Sequence, residues 1–116
     1  PVTEEVFCGD KEIILEVLEN LLANSLRYAK EQVEVYVEVS ASELKICIRD
    51  DGAGFQESGE KITKAFYRKN VKDSLEHAGM GMYLSRLYCE KHRGKLIIEN
   101  NEQAGAVVTA VFRQIV

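Results

Sequence analysis

From Lys11 onward Ile14, Leu18, Leu21, Leu22, Ser25 and Ala29 return every three or four positions and fall on one arc of a helix. That spacing predicts a helix over 11–30, with Asp10, after Gly9, placed to accept from its first-turn amides. The period then drops to two. Val33, Val35, Val37 and Val39 share one face of a strand and Glu34, Tyr36 and Glu38 the other, and in a second strand Leu44, Ile46 and Ile48 alternate with Lys45, Cys47 and Arg49. The connection at 41–43 is short enough for an antiparallel hairpin, and a weaker alternation over 3–8 predicts a further strand ahead of the helix. After Asp50 periodicity is lost: glycines and charges dominate 51–79, with one apolar patch at Ile62, Ala65 and Phe66, so a loop carrying one short helix is expected. Met80, Tyr83, Leu84, Leu87 and Tyr88 then line one face of a second helix over 80–91, closed by Arg93-Gly94. Strands over 95–99 and 106–113, joined by a polar turn, complete the chain. The predicted class is α/β, a two-layer sandwich with helices on one face of a mixed, mostly antiparallel five-stranded sheet.

Composition narrows the function classes. The chain has 116 residues, 46% hydrophobic, with one proline and eight glycines. A single domain over 1–116 is expected, burying roughly two thirds of its unfolded surface. Fifteen basic against nineteen acidic residues leave a formal charge of −4, so neither nucleic acid nor an anionic membrane surface is expected as a direct partner. The apolar run at 106–112 is far short of the ~20 residues of a membrane helix, and no signal peptide opens the chain; a soluble, cytoplasmic domain is expected. Because the sequence opens on Pro1 and strand-like residues, it is expected to be cut from something longer. Cys8, Cys47 and Cys89 lack paired metal or redox spacing and read as reduced thiols.

Three local features carry candidate chemistry. On the first helix Glu16, Asn20, Asn24 and Arg27 lie within about 80° of arc, immediately beside the apolar face. Carboxamides one turn apart there either hydrogen-bond neighbouring backbone or offer neutral, hard oxygens to Mg²⁺, an ion that takes few protein ligands and fills its other sites with phosphate and water. The second is Asp50-Asp51-Gly52-Ala53-Gly54-Phe55, an acidic strand end before two glycines: either a charged hairpin end, or a carboxylate and an open backbone for a flat ligand. The third, His77-Ala78-Gly79-Met80-Gly81-Met82, opens a helix with glycines, where exposed amides favour an anion. It is neither a Walker loop nor a Rossmann turn, because no GK[ST] follows and no strand leads into it.

Taken in order, the four segments ENLLANSLRYA (19–29), DDGAGF (50–55), AFYR (65–68) and GMGM (79–82) resemble the N box, first glycine box, F box and second glycine box of the catalytic ATP-binding domain of sensor histidine kinases. That domain belongs to a superfamily shared with gyrase, heat-shock chaperone and mismatch-repair ATPases. The resemblance covers nearly the whole chain and implies a Bergerat-type ATP-binding fold with a lid over 56–78. It implies that Asn24 holds Mg²⁺ with Asn20 nearby, that Arg27 and Tyr28 reach the phosphates, and that Asp50 accepts from the adenine amino group. It further implies that Gly52 and Gly54 line the base pocket, that Gly79 and Gly81 meet the phosphates with Met80 and Met82 in the same nucleotide-binding box, that Phe66 anchors the lid and that Arg68 meets the γ-phosphate. The sequence departs from the family pattern at His77, where a glycine is usual, at Met80 and Met82, where leucines are usual, and at Ala65, where proline is frequent. Methionine conserves volume and apolarity, so nucleotide binding is expected to survive.

The activity so implied is that of a histidine kinase: transfer of the ATP γ-phosphate to a histidine on a separate dimerisation segment, which then serves a response regulator. The full protein is expected to be a sensor, with this domain in the cytoplasm. His92, in Glu90-Lys91-His92-Arg93-Gly94, is expected to be a helix-end residue rather than that acceptor. Two rivals remain at this point. An ATPase or anti-sigma-factor serine kinase of the same superfamily would use a glutamate one turn before the Mg²⁺-binding asparagine, where this chain has Asn20, and a carboxamide cannot take a proton. A non-catalytic nucleotide-sensing module would keep the fold without the transfer.

Overall fold

The computed structural model describes residues 7–54, 78–100 and 105–114. Its elements are α1 (Lys11–Tyr28), β1 (Val33–Val39), β2 (Glu43–Asp50), α2 (Ala78–Lys91), β3 (Lys95–Asn100) and β4 (Ala106–Arg113). Asp10 caps α1 as its sequence position predicts, its carboxylate accepting from the Ile13 amide at 3.2 Å. At the far end the helix stops at Tyr28 rather than running to residue 30: Ala29 is already extended, with ψ 147°. β1 and β2 form the expected antiparallel hairpin, Val35 opposite Ile48 and Val39 opposite Leu44. Its turn falls at 40–42, because the Ser40 hydroxyl accepts from the Glu43 amide and fixes the corner.

Among the described residues the sheet has four strands in the order β1-β2-β4-β3, every pairing antiparallel. The fifth strand expected over 3–8 lies mostly outside the described residues; Phe7 and Cys8, which are described, carry no strand, and among the described residues the expected mixed pairing is corrected to an antiparallel one over four strands. The order places β4, last in sequence, between β2 and β3, so the most apolar strand has a strand neighbour on each side. Val17 and Leu21 of α1, Met82 and Cys89 of α2, Ile46 and Ile48 of β2 and Val108, Ala110 and Phe112 of β4 make one continuous core. Burial pushes the Cys89 thiol up to about 12, so it packs as a small apolar residue.

α1 lies over β2 and β4, and α2 over β4 and β3. The valines of β1 share one face, as predicted, and it points the same way as Ile46 and Ile48, but Val35, Val37 and Val39 remain 44%, 55% and 40% exposed. Alternation set the face correctly; the position of β1 at the sheet edge, beyond the two described helices, kept it from being core.

α2 begins at Ala78, two residues before the expected start, and ends in a Schellman arrangement: the Gly94 amide donates to the Cys89 carbonyl at 2.8 Å and the Arg93 amide to Glu90 at 2.9 Å. The left-handed position is taken by Arg93, with φ +57°, and not by glycine. Gly94 serves a different need, since a Cβ there would stand 1.7 Å from the Val111 carbonyl oxygen.

Candidate functional site

The two helices run antiparallel: Gly81 near the start of α2 faces Asn20, and the end of α2 reaches back to Asp10. The pair is close because residue 81 has no side chain; a Cβ there would meet the Asn20 Cβ at 3.4 Å and its Oδ1 at 3.7 Å. The glycine-opened start of α2, with no acidic residue in its first turn, thereby lies beside the asparagines of α1. One turn further along, Asn24 is 6% exposed, and its carbonyl oxygen Oδ1 is buried with no hydrogen-bond partner among the described residues. Of the two readings of these carboxamides, backbone bonding does not account for that oxygen.

The first glycine box closes the other end. Asp50, last residue of β2, is 6% exposed, and its Oδ1 accepts from the Gly52 amide at 2.9 Å and the Ala106 amide at 3.3 Å. Both bonds converge on one oxygen, which fixes the carboxylate and leaves Oδ2 as the acceptor with no partner among the described residues. Gly52 passes directly under the end of α1; a Cβ there would lie 2.2 Å from the Tyr28 carbonyl oxygen. Gly54 has φ +81° and abuts Asn100 and Gly105. The two glycines are therefore required first by the packing of this loop against α1 and the β3–β4 end. The segment of α1 from Asn20 to Tyr28, about 12 Å long, is bracketed by the second glycine box at one end and the first at the other.

The remaining expected residues divide. Arg27 and Tyr28 lie exposed near the end of α1, Tyr28 at 50%. Gly79 and Met80 lie in the first turn of α2. The side chain of Met82 is 1% exposed and packs in the core. Phe66, Arg68, His77 and the lid, up to residue 77, lie outside the described residues. His92 is completely buried: its Nε2 accepts from the Asp10 amide at 3.1 Å, its Nδ1 meets the Tyr88 carbonyl at 3.1 Å, and the Phe112 ring stands edge-on to it at 5.4 Å. A side chain so enclosed is a structural fastener, as its helix-end position predicts.

One residue escapes sequence reasoning. The Asp51 carboxylate accepts from three successive backbone amides beyond α1, those of Lys30 at 2.7 Å, Glu31 at 3.1 Å and Gln32 at 3.1 Å. These bonds, that to Glu31 foremost, hold its carboxyl below the ordinary aspartate range. No local pattern announces a contact across twenty residues. Among the described residues no group of three His, Cys, Asp or Glu side chains that could hold a metal occurs, and no helix is long and apolar enough to cross a membrane.

Residues 9–115 match the model of the family described as histidine kinase-, DNA gyrase B-, and HSP90-like ATPase. The sensor histidine kinase YvrG of Bacillus subtilis is 27% identical over 93% of this chain and 19% of its own length. The virulence sensor histidine kinase PhoQ of Salmonella typhimurium is 31% identical over 91% of this chain and 22% of its own. The chain thus spans about a fifth of the length of these relatives. Among solved structures, the nucleotide-free catalytic domain of histidine kinase ThkA superposes with a TM-score of 0.67 at 23% identity, covering 91% of this chain and 68% of that one. The mycobacterial sensor histidine kinase MprB superposes with a TM-score of 0.66 at 19% identity, covering 90% and 72%. These two likenesses establish the fold.

Proposed function

The chain belongs to the histidine kinase-, DNA gyrase B- and HSP90-like ATPase family, whose domain binds ATP, and from that premise we propose that it is the catalytic domain of a sensor histidine kinase. It binds Mg-ATP along α1 between Asn20 and Tyr28. The observation that carries the reading is the buried, unpartnered Oδ1 of Asn24, one turn from the asparagine that faces the α2 N-terminus. A neutral oxygen already stripped of water fits a hard cation that accepts one or two protein ligands, and the lack of an acidic cluster among the described residues fits an ion whose other ligands are phosphate oxygens and water. When bound, Mg²⁺ supplies neutralisation of charge on the β- and γ-phosphates.

The chain's own residues supply position. Asp50, oriented through Oδ1, offers Oδ2 to the exocyclic amino group of adenine, a donor that guanine replaces with an acceptor. The first amides of α2, approached closely because residues 79 and 81 are glycines, face the phosphates. Arg27 and Tyr28 stand on the open side of α1, where they meet the polyphosphate, and Phe66 and Arg68 belong to the lid, Arg68 as the γ-phosphate contact. The acceptor is a histidine on a separate dimerisation segment: its imidazole nitrogen forms a bond to the γ-phosphorus as the bond to the departing ADP oxygen breaks, and the phosphoryl group passes on to a response regulator. His92 is not that acceptor, both its ring nitrogens being engaged inside the core. Asn20 offers no carboxylate to deprotonate water, so the domain holds ATP without hydrolysing it.

Labelled ATP and Mg²⁺ test this. The chain alone is expected to stay unlabelled and to release negligible ADP, and to label a histidine on its own upstream dimerisation segment when the two are mixed. Asn24→Ala is expected to abolish that transfer. Robust hydrolysis by the chain alone would overturn the kinase reading in favour of an ATPase.

A further inference from the structure

Asp51 stands between the two residues that shape the base end of the site. Asp50 precedes it, and Gly52, which donates to Asp50 Oδ1 at 2.9 Å, follows it under the Tyr28 carbonyl. Its two oxygens take the amides of Lys30, Glu31 and Gln32, with Glu31 reaching both oxygens at 3.1 Å. These are the amides that would donate back into α1 if the helix continued. The carboxylate therefore ends the helix and fastens its exit to the β2 end with charge-assisted bonds.

From this geometry we infer that Asp51 is a positioning residue for base recognition: by locking residues 30–32 to the first glycine box it sets the distance between Asp50 and the end of α1, and with it the preference for adenine over guanine. The inference rests on the reading of Asp50 as the base acceptor. Discrimination between a donor and an acceptor on the base requires Asp50 Oδ2 to stay within hydrogen-bond range and angle. Asp50 is held through the Gly52 amide, Gly52 is held against Tyr28, and the chain around Tyr28 is held by Asp51. Release of the last link lets the first move.

Calorimetric titration of the 116-residue chain with Mg-ADP and Mg-GDP tests the inference. Asp51→Ala is expected to weaken ADP about tenfold while leaving GDP within about twofold, collapsing the ratio of the two affinities. A merely structural role would weaken both alike and leave the ratio unchanged, which would overturn the inference. Should Asp51→Ala fail to fold, Asp51→Asn decides: it keeps the shape but turns an amide donor toward one of the backbone amides, and about a threefold loss of the ratio is expected. An unchanged ratio in that variant would equally overturn the proposal. Amide exchange at residues 30–32 should quicken in either variant. Asp50→Asn separates the two claims. If it leaves ADP binding and the ratio unchanged, the base-pocket assignment falls and the Asp51 inference falls with it; if it lowers both and neither Asp51 variant changes the ratio, Asp51 alone is overturned.

Discussion

Two polar side chains are buried on opposite ends of the paired helices, and the fold treats them in opposite ways. His92, at the end of α2, has each ring nitrogen engaged by backbone and an aromatic edge against its ring. Asn24, about 21 Å along α1 from the Asp10 amide that His92 accepts, is nearly as enclosed, yet its carbonyl oxygen meets no donor among the described residues. Residue chemistry alone ranks them the wrong way round, since imidazole is the more versatile group. Satisfaction of hydrogen bonds is what separates a fastener from a ligand position. Ser25 and Ser85 also hold buried hydroxyls, and Arg49 a buried Nε, without partners among the described residues, but a hydroxyl both donates and accepts and Nε only donates. The Asn24 oxygen only accepts, and a helix interior offers it no donor.

The comparison breaks most visibly at the fastener. His92→Ala leaves the Asp10 amide without its acceptor and a hole beside Phe112, and is expected to cost about 3 kcal/mol of stability in urea unfolding. Mg-ADP affinity measured in the folded fraction should stay near that of the unaltered chain. Asp50→Ala should weaken ATP binding by about 2 kcal/mol and relax discrimination against GTP in calorimetry. It should also lower stability, because the Gly52 and Ala106 amides lose their acceptor. Asn24→Ala is the reverse of His92→Ala: with no bond to lose at Oδ1, thermal stability should change by less than about 1 kcal/mol, while the Mg²⁺-dependent part of ADP affinity disappears. A variant that unfolds as readily as His92→Ala would make Asn24 a second fastener and remove the contrast.

Acid offers a subtler probe of the loop that joins the two ends. Asp51 ionises more readily in the fold than in the unfolded chain, so its contribution is fully present above the unfolded value of about 3.9 and is lost as pH falls through the lower folded value. Nuclear magnetic resonance should show the amides of residues 30–32 shifting together in that acid range, and Asp51→Asn should remove this titration. The smallest expected effect is a gain: Arg93→Gly relieves a side chain held at φ +57° and should stabilise the chain by about 1 kcal/mol without touching nucleotide affinity.

Periodicity by itself determined much of this molecule. The helical arc from Ile14 to Ser25, the Asp10 cap and the alternation of Leu44, Ile46 and Ile48 are local patterns, and each reappears in the structure because a side chain's face follows directly from the backbone period. The motif order 19–29, 50–55, 65–68 and 79–82 pointed to the family, which the match over residues 9–115 shows. Tertiary structure decided the rest. α1 ends at Tyr28 although neither glycine nor proline follows, because a carboxylate from residue 51 captures the next amides. Val35, Val37 and Val39 of β1 stay exposed despite a strand pattern identical to that of a buried face, because strand order placed them at the edge. Met82 turned inward while Asn24 kept an unpartnered oxygen, a distinction that lies in which neighbours arrive rather than in either residue. Local sequence sets direction and period through steric and hydrogen-bond geometry within a few residues; burial and satisfaction depend on contacts whose partners are twenty to eighty positions away, and no local window contains them.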